Sequence, residues 1–189
     1  MRGFLFILPT LFCISSIAFA KLLTARQLKT LGISLASAWS IQSFAPASWA
    51  DDKLRNLPNE NLVKIVAEDI QKRQALITAD FTRDIYNEKC QFQDEVSVYD
   101  LPQYIKGTKA LFDASRSHVD LVGDVTVDPN NQAINFHFQE ILAFKIPPFY
   151  PKVSLSGRVD FSLDSDRLIV YSREHWDQPV IDVLKTVTF

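Results

Sequence analysis

The sequence predicts an α+β fold, with N-terminal helices packed on a curved sheet of four to six mainly antiparallel strands. Two periodicities carry this prediction. Apolar residues recur at three- and four-residue steps between positions 62 and 81, which is typical of an amphipathic helix. Between positions 118 and 176 they alternate with polar residues, which is typical of half-buried strands. Helices followed by strands indicate two layers around one core.

The first 50 residues are predicted to be a targeting leader because of their composition. They contain four basic residues and no Asp or Glu, whereas all 22 acidic residues of the chain lie between 51 and 189. Presequences have this acid-poor, mildly basic composition, while folded surfaces seldom lack carboxylates over such a length. Residues 51–189 therefore form the single predicted domain, with 16 basic residues and a net charge of −6.

The leader contains two hydrophobic segments, each followed by a small-x-small cleavage sequence. In residues 1–20, Arg2 precedes an apolar run that ends in Ala18-Phe19-Ala20, as in a secretory signal peptide. Residues 21–50 repeat the pattern with a basic stretch, a second apolar segment and Ser48-Trp49-Ala50. Two consecutive signals predict the crossing of two membranes. A single uncleaved anchor is the alternative, but both runs are interrupted before the roughly 20 apolar residues that a transmembrane helix needs.

Two short segments of the leader suggest a destination. Ile17-Ala18-Phe19-Ala20 and Ser43-Phe44-Ala45-Pro46 resemble the Phe-centred cleavage motif of preproteins in algae with complex, red-lineage plastids. Together with the two signals, they predict a plastid protein, with the thylakoid lumen as a candidate compartment. Ordinary secretion is the alternative.

The helical part of the domain is predicted in three pieces. A long amphipathic helix begins near Pro58 and is interrupted at Gln74. Its apolar stripe consists of Leu62, Val66, Ile70, Ile77 and Phe81. A short helical turn is expected over 80–86, a brief strand over 90–94, and a second helix over 102–115.

The strands of the domain are predicted from period-two alternation. The runs beginning at His118 and at Ile134 flank the turn Asp128-Pro129-Asn130-Asn131 and form a hairpin. A third strand runs from Val153 to Leu163, and a fourth from Leu168 to Trp176. The expected result is an antiparallel meander with one apolar face, on which the helical stripe packs.

Several short motifs resemble the nuclear transport factor 2-like superfamily, a cystatin-like α+β cone. They are Asp80-Phe81, Ile85-Tyr86, Phe92-x-Asp94, a helix containing Gly107, and His175-Trp176-Asp177. The resemblance covers residues 60–180 and is nearest to a plastid protein family of plants and algae with recurring Phe-x-Asp-Pro and terminal Trp-Asp elements. Glu95 stands here in place of that Pro. The resemblance implies a pocket at the wide end of a cone, which the superfamily uses for isomerases, cyclases, dehydratases and epoxide hydrolases, and also for binding and assembly modules without chemistry.

The candidate catalytic residues are Tyr86, Asp94, His175 and Asp177. In a cone, the segment after the first helices and the end of the last strand can approach one opening, where a carboxylate and an imidazole could move a proton. The alternative follows from strand parity, which puts His175 and Asp177 on the face opposite Trp176. In that case Trp176 plugs the cone, Asp94 caps a turn, and the other two side chains pair with Arg173 or solvent.

Four aromatic residues are predicted to line the ligand pocket: Trp176, Phe92, Phe149 and Tyr150. The last two lie in the stiff segment Ile146-Pro147-Pro148-Phe149-Tyr150-Pro151, which could form the rim of a pocket or bind a partner. A rigid connection between strands is the simpler explanation.

The sequence argues against several classes of function. It has no Gly-rich phosphate loop, no GxSxG and no HExxH, and its three histidines are about 20 or more positions apart, so no cofactor or metal is expected. An acidic domain without a basic run is a poor nucleic-acid binder. The leading hypothesis is a non-catalytic module that binds a small ligand or assists assembly, with a homodimer through the outer sheet face (Asn135, His137, Gln139) as one arrangement. The alternative is a cofactor-free lyase or isomerase acting on an apolar small molecule.

Overall fold

The computed structural model describes residues 52–128, 130 and 132–189. The predicted leader, residues 1–50, lies outside them, as do two residues of the predicted turn between the hairpin strands. No helix in the described ranges is long and apolar enough to cross a bilayer. The elements in chain order are α1 (Asn59–Gln71), α2 (Ala75–Thr78), a 3-10 turn (Arg83–Ile85), β1 (Tyr86–Gln93), β2 (Val98–Asp100), α3 (Leu101–Leu111), β3 (His118–Val127), β4 (Ala133–Ala143), β5 (Lys152–Leu163), β6 (Ile169–Trp176) and α4 (Val180–Lys185).

The predicted long helix and its interruption are confirmed, but Phe81, the last residue of the predicted stripe, lies after α2 and outside any helix. α1 buries Leu62, Val66 and Ile70 along one stripe, as the spacing predicts. The break comes at Gln74, whose backbone adopts a left-handed conformation with φ of 57° before α2 begins. The Gln74 amide then bonds to strand β3 in both directions, because its Nε2 donates to Val119 O (2.9 Å) and its Oε1 accepts from Val119 N (2.7 Å). The interruption therefore docks the helix on the edge of the sheet.

The second predicted helix is shorter than expected. α3 begins after Asp100, whose side chain accepts a hydrogen bond from Gln103 N (2.8 Å) in a capping box. It ends at Leu111 rather than at 115, because Phe112 is extended and forms an antiparallel bridge with Phe144. Pairing with a distant strand thus overrides the local helical pattern.

The sheet has six strands in the order β2-β1-β6-β5-β4-β3. β3 to β6 form the predicted antiparallel meander. The prediction was incomplete at the other end, where β1 pairs in parallel with β6 and β2 pairs with β1. β1 was expected only over 90–94, since a register irregularity between Tyr86 and Gln91 removes the alternation from its first half.

Alternation divides the sheet into an inner and an outer face. We call inner the face that carries Phe136, Phe138, Val159 and Phe161, which are all buried in the core. On β6 the register places Ser172, Glu174 and Trp176 on this inner face, and Tyr171, Arg173 and His175 on the outer one. The helices α1 and α3 lie over the inner face, so any interior site has to form there.

The segment before α1 is docked on the domain through its backbone and one buried side chain. Lys53 Nζ donates to Glu88 Oε1 (2.6 Å) and to Arg83 O (3.0 Å), and the Lys53 side chain is only 3% exposed. The backbone N–H of Leu54 donates to Asp84 O (2.9 Å). This segment is therefore part of the fold, directly after the predicted leader.

Candidate functional site

A cavity of about 50 Å³ lies between α1, the end of β1 and the inner face of β6. One water molecule needs roughly 10–15 Å³ of such volume, so the cavity accommodates about four water-sized groups. Its lining is mainly aromatic and aliphatic, with a few polar side chains. The lining residues are Val66, Asp69, Ile70, Ala75, Leu76, Phe81, Tyr86, Phe92, Gln93, Asp94, Tyr99, Tyr104, Phe161, Ser172 and Glu174.

Aromatic rings form one continuous wall of the cavity. Phe92 and Tyr104 stack with centroids 4.1 Å apart and planes 8° apart. Phe81 lies 4.7 Å from Tyr86, which meets Phe161 edge-on at 5.9 Å. Such pairs are rigid and largely apolar, which lowers the dielectric around any polar group in the cavity.

Glu174 is the carboxyl group of the cavity whose pKa this apolar environment changes most clearly. It lies on β6 between Ser172 and Trp176, and its Oε1 accepts a hydrogen bond from Trp176 Nε1 (2.6 Å). Burial raises the pKa of Glu174 to about 7, although the hydrogen bond from Trp176 lowers it, and the nearby charge of Asp94 adds to the rise. A carboxyl group with this pKa exchanges its proton near neutral pH, as a general acid or base does.

Asp69 also lines the cavity, but both of its carboxylate oxygens already accept hydrogen bonds from Thr82. It is 3% exposed, and it accepts hydrogen bonds from Thr82 N (2.7 Å) and Thr82 Oγ1 (2.9 Å). Arg73, two residues after the end of α1, lies 3.6 Å from Asp69 Oδ1. Burial raises the pKa of Asp69, and the Thr82 bonds oppose this rise. Asp69 therefore anchors the chain after α2 to α1.

Asp94, a predicted catalytic residue, lines the cavity with one oxygen occupied. Its Oδ1 accepts hydrogen bonds from Val96 N (2.7 Å) and Ser97 N (2.6 Å), which closes the turn between β1 and β2. Burial raises the pKa of Asp94, while these two bonds lower it. Asp94 therefore caps a turn at the border of the cavity, which is the role that the alternative interpretation gives it.

The structure brings two further predicted residues to the cavity. Tyr86 is buried, and burial raises the pKa of its phenol well above the ordinary value, so its hydroxyl is a neutral hydrogen-bond donor. Phe92 contributes its ring to the wall. Trp176 packs against the core beside the cavity and contacts it through Glu174.

His175 and Asp177 are placed away from the cavity. The His175 ring lies on the outer face, 3.5 Å from Asp160 Oδ2 and 3.8 Å from Glu95 Oε1. Asp177 is exposed and accepts a hydrogen bond from Ser156 Oγ (2.6 Å). Parity along β6 separates them from Glu174, so the four predicted catalytic residues do not form one cluster.

Phe149 and Tyr150 are also outside the cavity lining. Phe149 is 59% exposed in the connection between β4 and β5. The Arg116 guanidinium lies 4.3 Å from the centroid of the Tyr150 ring, a cation–π contact. This loop is a separate exposed feature, and its role in ligand binding stays a prediction.

Sequence reasoning missed Glu174, Tyr104 and the buried Glu140. Both glutamates could have been found from parity, because Glu174 shares the inner face with Trp176, and Glu140 continues the apolar row Ile134, Phe136, Phe138. Tyr104 gave no comparable signal, since its partner Phe92 is on another element. In the described ranges, no group of three or more His, Cys, Asp or Glu side chains could hold a metal ion.

The fold has the α+β architecture that the nuclear transport factor 2-like resemblance implies, with an open six-stranded mixed sheet and helices over its inner face. The plastid family to which the motifs are nearest is a finer resemblance that stays a prediction. No protein-family model matches the chain, and no curated protein sequence matches it.

Several solved structures are similar to this chain at low identity. The epoxide hydrolase/cyclase-like enzyme SalBIII, described in pyran ring formation in the polyether salinomycin, is 14% identical with a TM-score of 0.48, over 68% of this chain and 96% of that one. An NTF2-like protein from Anabaena variabilis is 12% identical with a TM-score of 0.46, over 67% and 96%. The pinacolase BvnE from Penicillium brevicompactum is 15% identical with a TM-score of 0.47, over 64% and 87%.

Proposed function

We propose that this domain binds a small, mainly apolar molecule in the cavity between α1 and β6. The observation that carries the proposal is the Glu174 carboxyl group within an otherwise aromatic and aliphatic lining. Ligand sites combine such apolar walls with a few polar groups that orient the ligand. With space for about four water-sized groups, the cavity fits a small ligand or the polar end of a larger one.

The binding proposal can be tested by filling the cavity. Ser172 is buried in its lining, so Ser172→Leu places apolar atoms where the ligand would lie. Ser154, on the neighbouring strand β5, is exposed, and Ser154→Leu is the matched control. With acetone as probe, we expect NMR shifts in the wild type and in Ser154→Leu that Ser172→Leu loses. Equal shifts in all three proteins would contradict the proposal.

A second function is supported by the pKa of Glu174. A carboxylate in an apolar cavity can take a proton from a carbon beside a carbonyl group and return it to another carbon of the same molecule. Such an isomerisation needs no cofactor and leaves the enzyme unchanged. The neutral Tyr86 hydroxyl, which also lines the cavity, can donate a hydrogen bond to the carbonyl oxygen as charge develops there.

Deuterium exchange tests this catalytic function without knowledge of the substrate. In D₂O, a base in the cavity should accelerate exchange of the methyl protons of acetone, which is followed by loss of the proton NMR signal. We expect Glu174→Gln to abolish the acceleration, and His175→Gln, the adjacent outward-facing residue, to leave it unchanged. Acceleration that survives Glu174→Gln would exclude Glu174 as the base, whereas no acceleration by the wild type would leave binding as the function.

We also propose that the mature domain begins near Asp51 in a plastid compartment. The support is the composition of residues 1–50 and their two small-x-small sequences. Mass spectrometry of the protein purified from its source reads the mature N-terminus, the oligomeric state and any retained small molecule together. A start at Lys21 would indicate that only the first signal is removed. A co-purifying polypeptide without a small molecule would favour an assembly module.

A further inference from the structure

We propose that the ligand site extends past Trp176 to Glu140, and that its occupant is an elongated, mainly apolar molecule with a hydrogen-bond-accepting oxygen at the Glu140 end. This inference rests on the proposed binding function, and it adds a second polar subsite and a ligand class to it. Three observations lead to it: the position of Glu140, the side chains between the two glutamates, and the placement of Tyr104.

Glu140 is a carboxyl-bearing residue on a face of β4 whose other buried residues are apolar. It is 6% exposed on the inner face of β4, in the row formed by Phe136, Phe138 and Leu142. Its Oε2 is buried, and no described residue provides it with a hydrogen-bond partner. A buried polar atom without a partner is costly, so the position calls for a group that the folded chain itself does not supply.

Two aromatic rings lie on the inner face between Glu174 and Glu140. The register aligns Trp176 with Gly157 on β5, and Gly157 with Phe138 on β4. The absence of a side chain at Gly157 lets its neighbours approach closely, because a Cβ there would lie 3.1 Å from Phe138 Cζ and 2.1 Å from the His175 carbonyl oxygen. Glu140 follows one inner-face position beyond Phe138, so Trp176 and Phe138 form the partition between the cavity and Glu140.

Tyr104 lies within electrostatic reach of both carboxyl groups. Burial raises the pKa of its phenol, and the charges of Glu174 and Glu140 raise it further. Thr108, one helical turn later on α3, is also buried. At its end α3 reaches the last residues of β4, since Phe112 bridges to Phe144. One helix therefore covers the inner face from the cavity towards Glu140.

The Glu174 end and the Glu140 end of the proposed site differ in their chemistry. Burial and the charge of Glu174 raise the pKa of Glu140 well above its ordinary value, which favours the neutral acid, a form that can donate a hydrogen bond to a ligand. Glu174 is occupied by the Trp176 indole. A ligand that displaces the indole both frees Glu174 Oε1 and opens the partition. Along the backbone register, Glu174 is level with Phe136 on β4, two strands away and about 10 Å across the sheet. Glu140 is four residues beyond Phe136, about 13 Å further along β4. A ligand that reaches both positions has to be elongated.

Trp176 itself reports on this extension. The chain has three tryptophans, of which Trp39 and Trp49 lie in the predicted leader. In the full chain with Trp39→Phe and Trp49→Phe, the emission of Trp176 can be followed while acetone or 2-octanone is added. Affinity for each ketone is measured in parallel by ligand-observed NMR. We expect saturation with 2-octanone to change the Trp176 emission, because the longer ketone displaces the indole.

Variants at Glu140 make the test specific. Glu140→Leu should weaken the binding of 2-octanone about tenfold, the value of one hydrogen bond, and leave acetone binding unchanged. Glu140→Gln keeps a donor of similar shape and should weaken it less than about threefold. Gln139→Leu, the exposed neighbour on the outer face, is the control for added apolar surface and should have no effect.

The outcomes separate the two proposals. If 2-octanone binds the wild type and Glu140→Leu equally, or binds without changing the Trp176 emission, the Glu140 subsite is overturned. Binding of acetone without binding of 2-octanone overturns it as well and leaves the cavity as the whole site. If neither ketone binds the wild type, the proposed binding function fails, and the extension fails with it.

Discussion

The indole nitrogen of Trp176 and the carboxyl group of Glu174, two residues apart on the inner face of β6, share a hydrogen bond of 2.6 Å. Alternate residues on a strand point to the same face, so the pair is a direct consequence of the β6 backbone. The same parity places His175, between them in sequence, on the outer face. This relationship makes Trp176 an internal reporter on Glu174.

The fluorescence of Trp176 should titrate with Glu174. In the full chain with Trp39→Phe and Trp49→Phe, we expect the emission of Trp176 to change with a midpoint near pH 7, because the indole donates to a carboxylate above this pH and to a neutral acid below it. Glu174→Gln should remove the transition. His175→Gln should preserve it, and its loss in that variant would assign the titration to the imidazole instead.

Glu174 should make the domain less stable as the pH rises towards neutrality. Its pKa in the folded state, about 7, exceeds the ordinary value of 4.5, so its contribution is fully present below pH 4.5 and is lost as the pH rises through 7. A fully desolvated group would lose about 1.4 kcal/mol per pH unit in this window, and the partial exposure of Glu174 reduces that value. Thermal melts should therefore show a steeper decline for the wild type than for Glu174→Gln. Parallel curves would contradict the raised pKa.

Glu140→Leu should stabilise the domain while it weakens the proposed subsite. Leucine removes a buried carboxyl group that has an unpaired oxygen, and the cost of such a group is about 1–3 kcal/mol. Urea unfolding should show a gain of this size, whereas Gln139→Leu should stay within about 0.5 kcal/mol of the wild type. A loss of stability in Glu140→Leu would mean that Glu140 has a structural partner.

Gly157 should not tolerate a side chain. A Cβ at this position would lie 2.1 Å from the carbonyl oxygen of His175, so Gly157→Ala has to separate β5 from β6. We expect a loss of more than about 4 kcal/mol, which is exceptional for a single substitution. Gly107→Ala is the control, because nothing lies within 4 Å of its Cβ in the helix α3 and alanine should stabilise it by about 0.5–1 kcal/mol.

Lys53 should hold the start of the domain in place. Lys53→Met keeps the buried aliphatic chain and removes the bonds to Glu88 and to the Arg83 carbonyl, so we expect a loss of about 1–2 kcal/mol in urea unfolding. Lys89→Met, at an exposed position of β1, is the control and should be close to neutral. Equal stability of the two variants would show that the segment is held by its backbone bonds alone.

Much of the fold was predictable because its signals are local. The α1 stripe, the break at Gln74 and strands β3 to β6 follow from short-range periodicity and turn residues. The parallel pairing of β1 with β6 was not predictable in this way, since it joins segments some 80 residues apart and neither strand's own pattern specifies its neighbour. α3 also ended early because Phe112 pairs with Phe144, a contact beyond the reach of helical periodicity.

By itself the sequence determined the α+β class, the strand parity that separates Trp176 from His175, and the composition that predicts a leader in residues 1–50, because each of these depends only on neighbouring residues. The tertiary structure decided which side chains meet. It stacked Phe92 on Tyr104, made Asp94 the cap of a turn, and placed Glu174 in a cavity lined by rings from β1, α3 and β5. The pKa of Glu174 depends on how much water its neighbours exclude, and those neighbours come together only when the sheet and its helices assemble.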